Sequence, residues 1–205
     1  MKPKQVVVVV SFLLPLLAFL SDGAPERVLD VSLNPLEVYR NYYILPVITG
    51  PEGGGLKLAK TGHSECPLTV LQDKSEVNNG RSVKFTIPAG NTSIIRIGTT
   101  LDIKFVNKPE CAKSGKWGLL YDPEIYRFCV VIDGPDSTFQ IQKHRAGYKL
   151  MSCNSRTCYD IGRFDAENGE SGRRLTTNAA EPFEIVFVRA LVDDFEDNKV
   201  IKSVV

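Results

Sequence analysis

Short apolar runs, each closed by a turn signal, recur along almost the whole of this chain, and no long segment keeps a helical period. They fall at 42–48, 68–72, 83–87, 94–97, 101–106, 118–121, 128–132, 139–143, 148–152, 159–164, 174–177 and 183–188. The runs are rich in Val, Ile, Phe and Tyr and are bounded by Gly, Pro, Asn and Asp, the pattern of strands rather than of buried helices. An all-β fold of about twelve short strands is the expectation. Gly53-Gly54-Gly55 reads as a turn. It is followed by neither Lys-Ser/Thr nor a helix start, so it is not a phosphate loop.

Residues 1–23 stand apart. Lys2 and Lys4 precede an almost wholly apolar stretch, 6–20, and Ser21 and Gly23 place small residues where a signal peptidase cuts. The stretch has about 15 residues against the roughly 20 needed to span a bilayer. Cleavage and secretion are therefore expected, to the extracellular space or the vacuole, with no membrane attachment afterwards. Residues 24–190 then make one domain of β-barrel or β-sandwich size. Beyond Arg189 the chain turns acidic, with Asp193, Asp194, Glu196 and Asp197, and 191–205 read as a tail outside the core.

Removing Lys2, Lys4 and Asp22 from 25 basic and 24 acidic residues leaves the two signs equal. A neutral, mixed surface gives no electrostatic case for binding nucleic acid or acidic membranes. Any partner is recognised by shape.

Five cysteines in a secreted chain favour disulfides over metal ligation. Cys153 and Cys158 enclose only four residues, a spacing suited to a bridge across a tight turn. Cys129 lies in the apolar run Phe128-Cys129-Val130-Val131-Ile132 and reads as a buried strand thiol. With only His63 and His144 available, neither a zinc site nor any other metal or cofactor is expected. The two histidines lack the context of a catalytic motif and read as surface residues, so no enzymatic activity is expected. Lys113-Ser114-Gly115-Lys116 and Arg173-Arg174 read as solvated basic groups.

Between 28 and 72 the chain carries Val28-Leu29-Asp30, Asn34-Pro35-Leu36, Tyr42-Tyr43-Ile44-Leu45-Pro46, the glycine triplet and Cys66-Pro67-Leu68-Thr69-Val70-Leu71-Gln72. This order and spacing resemble the amino-terminal third of the plant Kunitz protease inhibitors. The resemblance continues through Lys116-Trp117, the Cys153 and Cys158 pair, Asp160-Ile161-Gly162 and Gly172-Arg173-Arg174-Leu175. It implies a disulfide-stapled β-trefoil, acting as a monomer, that inhibits an endopeptidase, most often a serine protease, by inserting one convex loop into its active site. It also implies a bridge from Cys66 to Cys111, and a weak threefold repeat. The segments 100–106 and 182–188 are similar enough to be read as equivalent closing strands of two such units.

Aligned on Gly80 and Pro88, the family's reactive loop falls on Pro88, Ala89, Gly90, Asn91 and Thr92, with Gly90 or Asn91 as the specificity residue. A trypsin inhibitor needs Arg or Lys there, to meet the carboxylate in the protease pocket. Asn91-Thr92-Ser93 is moreover an N-glycosylation sequon, so Asn91 is expected to carry a glycan that a protease cleft would not admit. Family inhibitors brace the loop with an asparagine side chain, and the equivalent here is Val38, with Asn41 three residues further on. These departures predict a poor trypsin inhibitor and leave open a second function: a non-inhibitory binding, defence or storage protein of the kind resembling miraculin. Arg156, inside the loop between Cys153 and Cys158, reads as a solvated side chain on a structural staple.

Overall fold

The computed structural model describes Gly23 and residues 25–48, 50, 52–88, 90–154, 156–165 and 170–191. The expected leader except Gly23, the acidic tail beyond Leu191 and Ala89 of the expected reactive loop lie outside the described residues.

The described residues form twelve strands: β1 Asn41–Pro46, β2 Leu56–Ala59, β3 Thr69–Asp73, β4 Val83–Thr86, β5 Asp102–Phe105, β6 Trp117–Asp122, β7 Arg127–Ile132, β8 Thr138–His144, β9 Gly147–Cys153, β10 Cys158–Phe164, β11 Gly172–Thr177 and β12 Ile185–Arg189. Six of them pair antiparallel around a ring, β1 with β4, β4 with β5, β8 with β9, β9 with β12 and β12 with β1. The ring closes between β5 and β8 through Leu101 and Phe139, which exchange two backbone hydrogen bonds of 2.8 and 2.9 Å. A closed ring leaves no sheet edge among these six strands to recruit another chain. The other six form three hairpins, β2–β3, β6–β7 and β10–β11, and these meet one another through β3, β7 and β11 to cap one end of the barrel. Strand, hairpin, strand, repeated three times, is the β-trefoil.

The sequence builds this barrel by one rule. Each ring strand sends two residues, spaced two apart, into the core: Tyr42 and Ile44, Val83 and Phe85, Ile103 and Phe105, Phe139 and Ile141, Tyr148 and Leu150, Ile185 and Phe187, all no more than 5% exposed. Period-two alternation points them to one face. Phe85 meets Phe187 edge-on at 5.7 Å, and Trp117 from the cap meets Phe105 at a tilt and Phe139 edge-on, at 5.4 and 5.9 Å. The aromatic groups thus join barrel to cap.

Four expectations need correction. The first concerns the repeat: β5, within 100–106, opens the second unit, whereas β12, which begins within 182–188 and ends at Arg189, closes the third, so they are not equivalent. Their likeness reflects the same inward pair, Ile103 and Phe105 in one and Ile185 and Phe187 in the other.

The second concerns the glycine triplet, which is followed by a strand that the runs did not indicate, β2. Here backbones approach too closely for side chains. A Cβ on Gly54 would lie 2.2 Å from the Ser75 carbonyl oxygen, and one on Gly55 would lie 1.9 Å from that of Asn79.

The third is the run 94–97. It makes only isolated bridges, because its partners are two separate pieces of the amino-terminal segment.

The fourth concerns Arg174, which is fully buried and ion-paired with Asp122 and Glu170 under the cap, where Cys129 also lies. Its neighbour Arg173 is held by Asp165 at 3.2 Å and by the Glu52 carbonyl at 2.9 Å. His144 departs from a surface histidine too, since its Nε2 is buried with no hydrogen-bond partner among the described residues. His63 is exposed.

Two bridges staple the fold. Cys66 joins Cys111 across 45 residues, and Cys153 joins Cys158 across five. Cys129 is free and buried. Burial pushes its thiol up to about 11, against the opposing pull of Arg174. Iodoacetamide near pH 8 should therefore leave Cys129 unmodified in the folded protein and label it on unfolding; a non-reducing peptide map showing Cys129 in a bridge would contradict this topology. Arg174→Met leaves two partly buried carboxylates together without their cation and should cost about 3–5 kcal/mol in urea unfolding near neutral pH. A loss below about 1 kcal/mol would show that the ion group is not what Arg174 supports.

Candidate functional site

The β4–β5 connection is the segment on which the expected reactive loop falls. Its ends are fixed by the ladder, with Val83 opposite Phe105 and Thr86 opposite Asp102. Between them the chain leaves the barrel and returns along the amino-terminal segment. Val28 donates its N–H to the Ile95 carbonyl at 3.0 Å, Ile95 to Leu36 at 2.9 Å, and Ile97 to Glu26 at 2.8 Å. Ile95, Val28 and Leu36 are fully buried beneath this zipper. The returning limb is thus tied by backbone bonds and apolar packing, and residues 90–93 are left exposed at the crest.

The crest has no charge. From Phe85 to Ile95 not one side chain is ionisable, and the nearest cations are Lys84 and Arg96. Lys84 is in the β4 ladder opposite Lys104. Arg96 is turned back, donating from Nη1 to the Pro25 carbonyl at 2.7 Å. Pro88 is exposed at the start of the crest, and Gly90, Asn91 and Thr92 follow. Gly90 has no left-handed backbone, and a Cβ there would meet the Ile87 side chain at 2.7 Å and the Thr92 methyl at 3.9 Å. The Thr92 hydroxyl lies 3.3 Å from the Ile94 N–H and 3.4 Å from its carbonyl, which bends the chain after Asn91. The Asn91-Thr92-Ser93 sequon is therefore on exposed chain.

Val38 lies beside this loop. Its N–H donates to the Ser93 carbonyl at 2.9 Å, while its side chain packs partly buried against the core. An isopropyl group offers no hydrogen bond to the crest, so at this position the loop is held by main chain alone and only at its carboxyl-terminal limb. Asn41 stands elsewhere: its backbone opens the β1 ladder opposite Lys84, and its carbonyl accepts from Ala190.

The other basic groups differ in their freedom. Lys116 bonds Asp136 at 3.0 Å and Asp102 at 3.4 Å, and the Asp136 bond above all raises its pKa. The N–H groups of Lys113 and Ser114 are held by the Asp133 carboxylate. Arg156 is exposed on the short loop closed by Cys153 and Cys158, where Asn154 Oδ1 accepts from the N–H groups of Arg156 and Thr157 at 2.9 and 2.8 Å. Among the described residues no group of three or more His, Cys, Asp or Glu side chains could hold a metal ion.

The amino-terminal zipper is the part of the site that sequence reasoning did not find. Its signal is faint: Val28, Leu36, Ile95 and Ile97 show no long alternation, the two halves are far apart in the chain, and Asp30 to Asn34 form a turn between the two partner pieces.

Comparison with known proteins agrees with this fold. Residues 28–189 match the legume Kunitz family, described as trypsin and protease inhibitor. A Kunitz-type trypsin inhibitor-like 2 protein of Pisum sativum is 47% identical over 92% of this chain and 90% of its own length. A subtilisin inhibitor of Canavalia lineata is 45% identical over 82% of this chain and 95% of its own length. The 21 kDa seed protein of Theobroma cacao is 32% identical over 77% and 80%. Among solved structures, a Kunitz-type trypsin inhibitor from Cicer arietinum superposes with a TM-score of 0.77 at 48% identity, covering 81% of this chain and 99% of that one. A matched family spanning the whole trefoil, relatives close to half identical and a shared architecture lead to one conclusion: this chain belongs to the legume Kunitz family of trypsin and protease inhibitors.

Proposed function

We propose that this protein is a secreted, monomeric inhibitor of a serine endopeptidase, that it acts by inserting the Pro88, Ala89, Gly90, Asn91 and Thr92 loop, and that it discriminates against trypsin. The observation that carries this reading is the crest itself, exposed, uncharged from 85 to 95 and anchored on one limb by the backbone zipper. A pocket with a carboxylate at its base gains nothing from Gly90 or Asn91, whereas a shallow or apolar pocket, as in subtilisin-like or elastase-like enzymes, tolerates a small residue. The name of the Canavalia relative supports that direction. No catalytic role is proposed for the chain, and Lys2, Lys4 and the apolar stretch after them support export.

A second reading is favoured by two particular observations. A glycan on Asn91 would cover the crest, and Val38 gives the crest no side-chain brace. Loss of preorganisation weakens binding even where every contact is retained. On this reading the protein is a binding or storage trefoil, and the seed-protein name of the Theobroma relative points the same way.

Inhibition assays on glycosylated and enzymatically deglycosylated protein separate the two. Trypsin should be inhibited no better than at micromolar level, near −8 kcal/mol, and Asn91→Gln should expose or strengthen inhibition of a protease with a small or polar pocket. Asn91→Arg supplies a cation and should improve trypsin inhibition in part. Val38→Asn combined with Asn91→Arg should improve it by more than the two separate gains, because one supplies the anchor and the other holds it. Nanomolar trypsin inhibition by the unaltered chain would overturn the discrimination. Failure of every variant against every serine protease would establish the binding or storage reading instead.

A further inference from the structure

Beside the loop, between the barrel and two of the cap hairpins, lies an open cleft of about 720 Å3, within the size range of small-molecule sites. Pro88 stands on its wall, yet most of the cleft belongs to elements with no part in loop insertion: the start of β8, the end of β9, β10 and the end of β11. Two aromatic rings face it, Phe128 at 46% and Tyr159 at 44% exposure. A ligand that covered these half-exposed rings would gain the burial free energy that the fold leaves unused. Phe128 is fixed by an edge contact to Tyr121 at 5.3 Å.

The polar lining says what kind of ligand fits. Lys116 bonds both Asp136 and Asp102, all three at the cleft, so an anion finds no free cation, and the lining keeps one net negative charge, with the Asp136 side chain largely exposed. A ligand held by the rest of the lining needs no charge of its own. The floor holds buried hydroxyls, Ser152 and Thr177, and the rim holds Asn154 and Asn178. Asn154 spends its carbonyl oxygen on Arg156 and Thr157, which leaves its amide nitrogen as a donor. A lining this rich in hydroxyl and amide groups would strand them against a purely apolar ligand.

We infer that the cleft binds a short neutral oligosaccharide, of about two or three pyranose rings. A pyranose matches both halves of the lining. Its C–H face carries slight positive charge and lies against the negative face of an aromatic ring, while its hydroxyl edge pairs with amides and hydroxyls. The saccharide has two possible sources. One is a free oligosaccharide; the other is a glycan on the chain's own Asn91, which is three residues from Pro88 and so at most about 11 Å along the chain from the cleft wall. The inference does not depend on protease inhibition.

The test uses Asn91→Gln protein with both bridges intact, titrated with chitobiose, mannotriose and cellotriose and followed by amide NMR. At least one should give saturable shifts at Phe128, Asn154, Tyr159 and Thr177 in the millimolar range or below. Tyr159→Ala and Phe128→Ala should each weaken that binding at least tenfold while melting temperature and bridge mapping show the fold retained. Repeating the titration on glycosylated protein assigns the source. If the chain's own glycan is the occupant, the same amides are already shifted and added saccharide has no further effect until the glycan is trimmed; if the ligand is free saccharide, both forms bind alike. The inference is overturned if none of the three sugars shifts these residues at tens of millimolar and glycosylation does not shift them either. It is also overturned if the shifts survive both aromatic substitutions, or if only an apolar phenol probe produces them.

Discussion

Closure of the six-stranded ring is the constraint on which the rest depends. The two hydrogen bonds between Leu101 and Phe139 join β5 to β8 and turn a curled sheet into a barrel with an enclosed aromatic core. Without them β5 would be an edge, and the β4–β5 connection would leave from a strand paired on one side only. With them, both ends of the loop emerge from a rigid wall, and its returning limb is laid against the amino-terminal segment. Cys66 and Cys111 bracket β4, β5 and the connection between them, so the loop lies within a covalently closed span of the chain. A disulfide over a span of this length stabilises by about 2–4 kcal/mol, chiefly by restricting the unfolded chain.

The loop that this scaffold presents is unusual in what it lacks. Recognition by a trypsin-like pocket depends on one cation, and the crest has none. Tight binding depends on a crest already in its bound shape, and Val38, the position proposed for a brace, contributes only a main-chain bond to Ser93. The rigid part of the site is therefore its carboxyl-terminal limb. These two absences act on different quantities, one on specificity and the other on the entropy lost in docking, which is why a cation and a brace introduced together are expected to reinforce each other.

Most of the fold was legible in the sequence because the barrel is built on a local rule. Inward pairs two residues apart, such as Phe139 and Ile141 or Tyr148 and Leu150, mark a strand without knowledge of its partner. The failures share a cause: they concern features set by distant chain. Leu56-Lys57-Leu58-Ala59 is too short to announce itself, and becomes a strand because the preceding glycines admit the backbone of the β3–β4 connection. Residues 94–97 have the pattern of a strand but are offered a broken partner. Arg174 looks like any surface arginine until Asp122 and Glu170 arrive from elsewhere. The repeat misled because Ile-x-Phe satisfies any barrel position, whichever unit it belongs to. At the site, the loop was placed by family resemblance; the zipper that holds it was not legible, because each half gains meaning only from the other.

The most direct test of the central claim is to find where a protease cuts. Chain made without glycosylation would be incubated with a catalytic amount of subtilisin, and the products compared by mass with and without reduction. A substrate-mimicking loop should be nicked slowly at a single bond within Pro88, Ala89, Gly90, Asn91 and Thr92. Because Cys66 and Cys111 lie on opposite sides of that bond, the two fragments should stay joined until the bridge is reduced. Cleavage at several sites at once, or a single nick elsewhere that leaves this loop whole, would contradict the account.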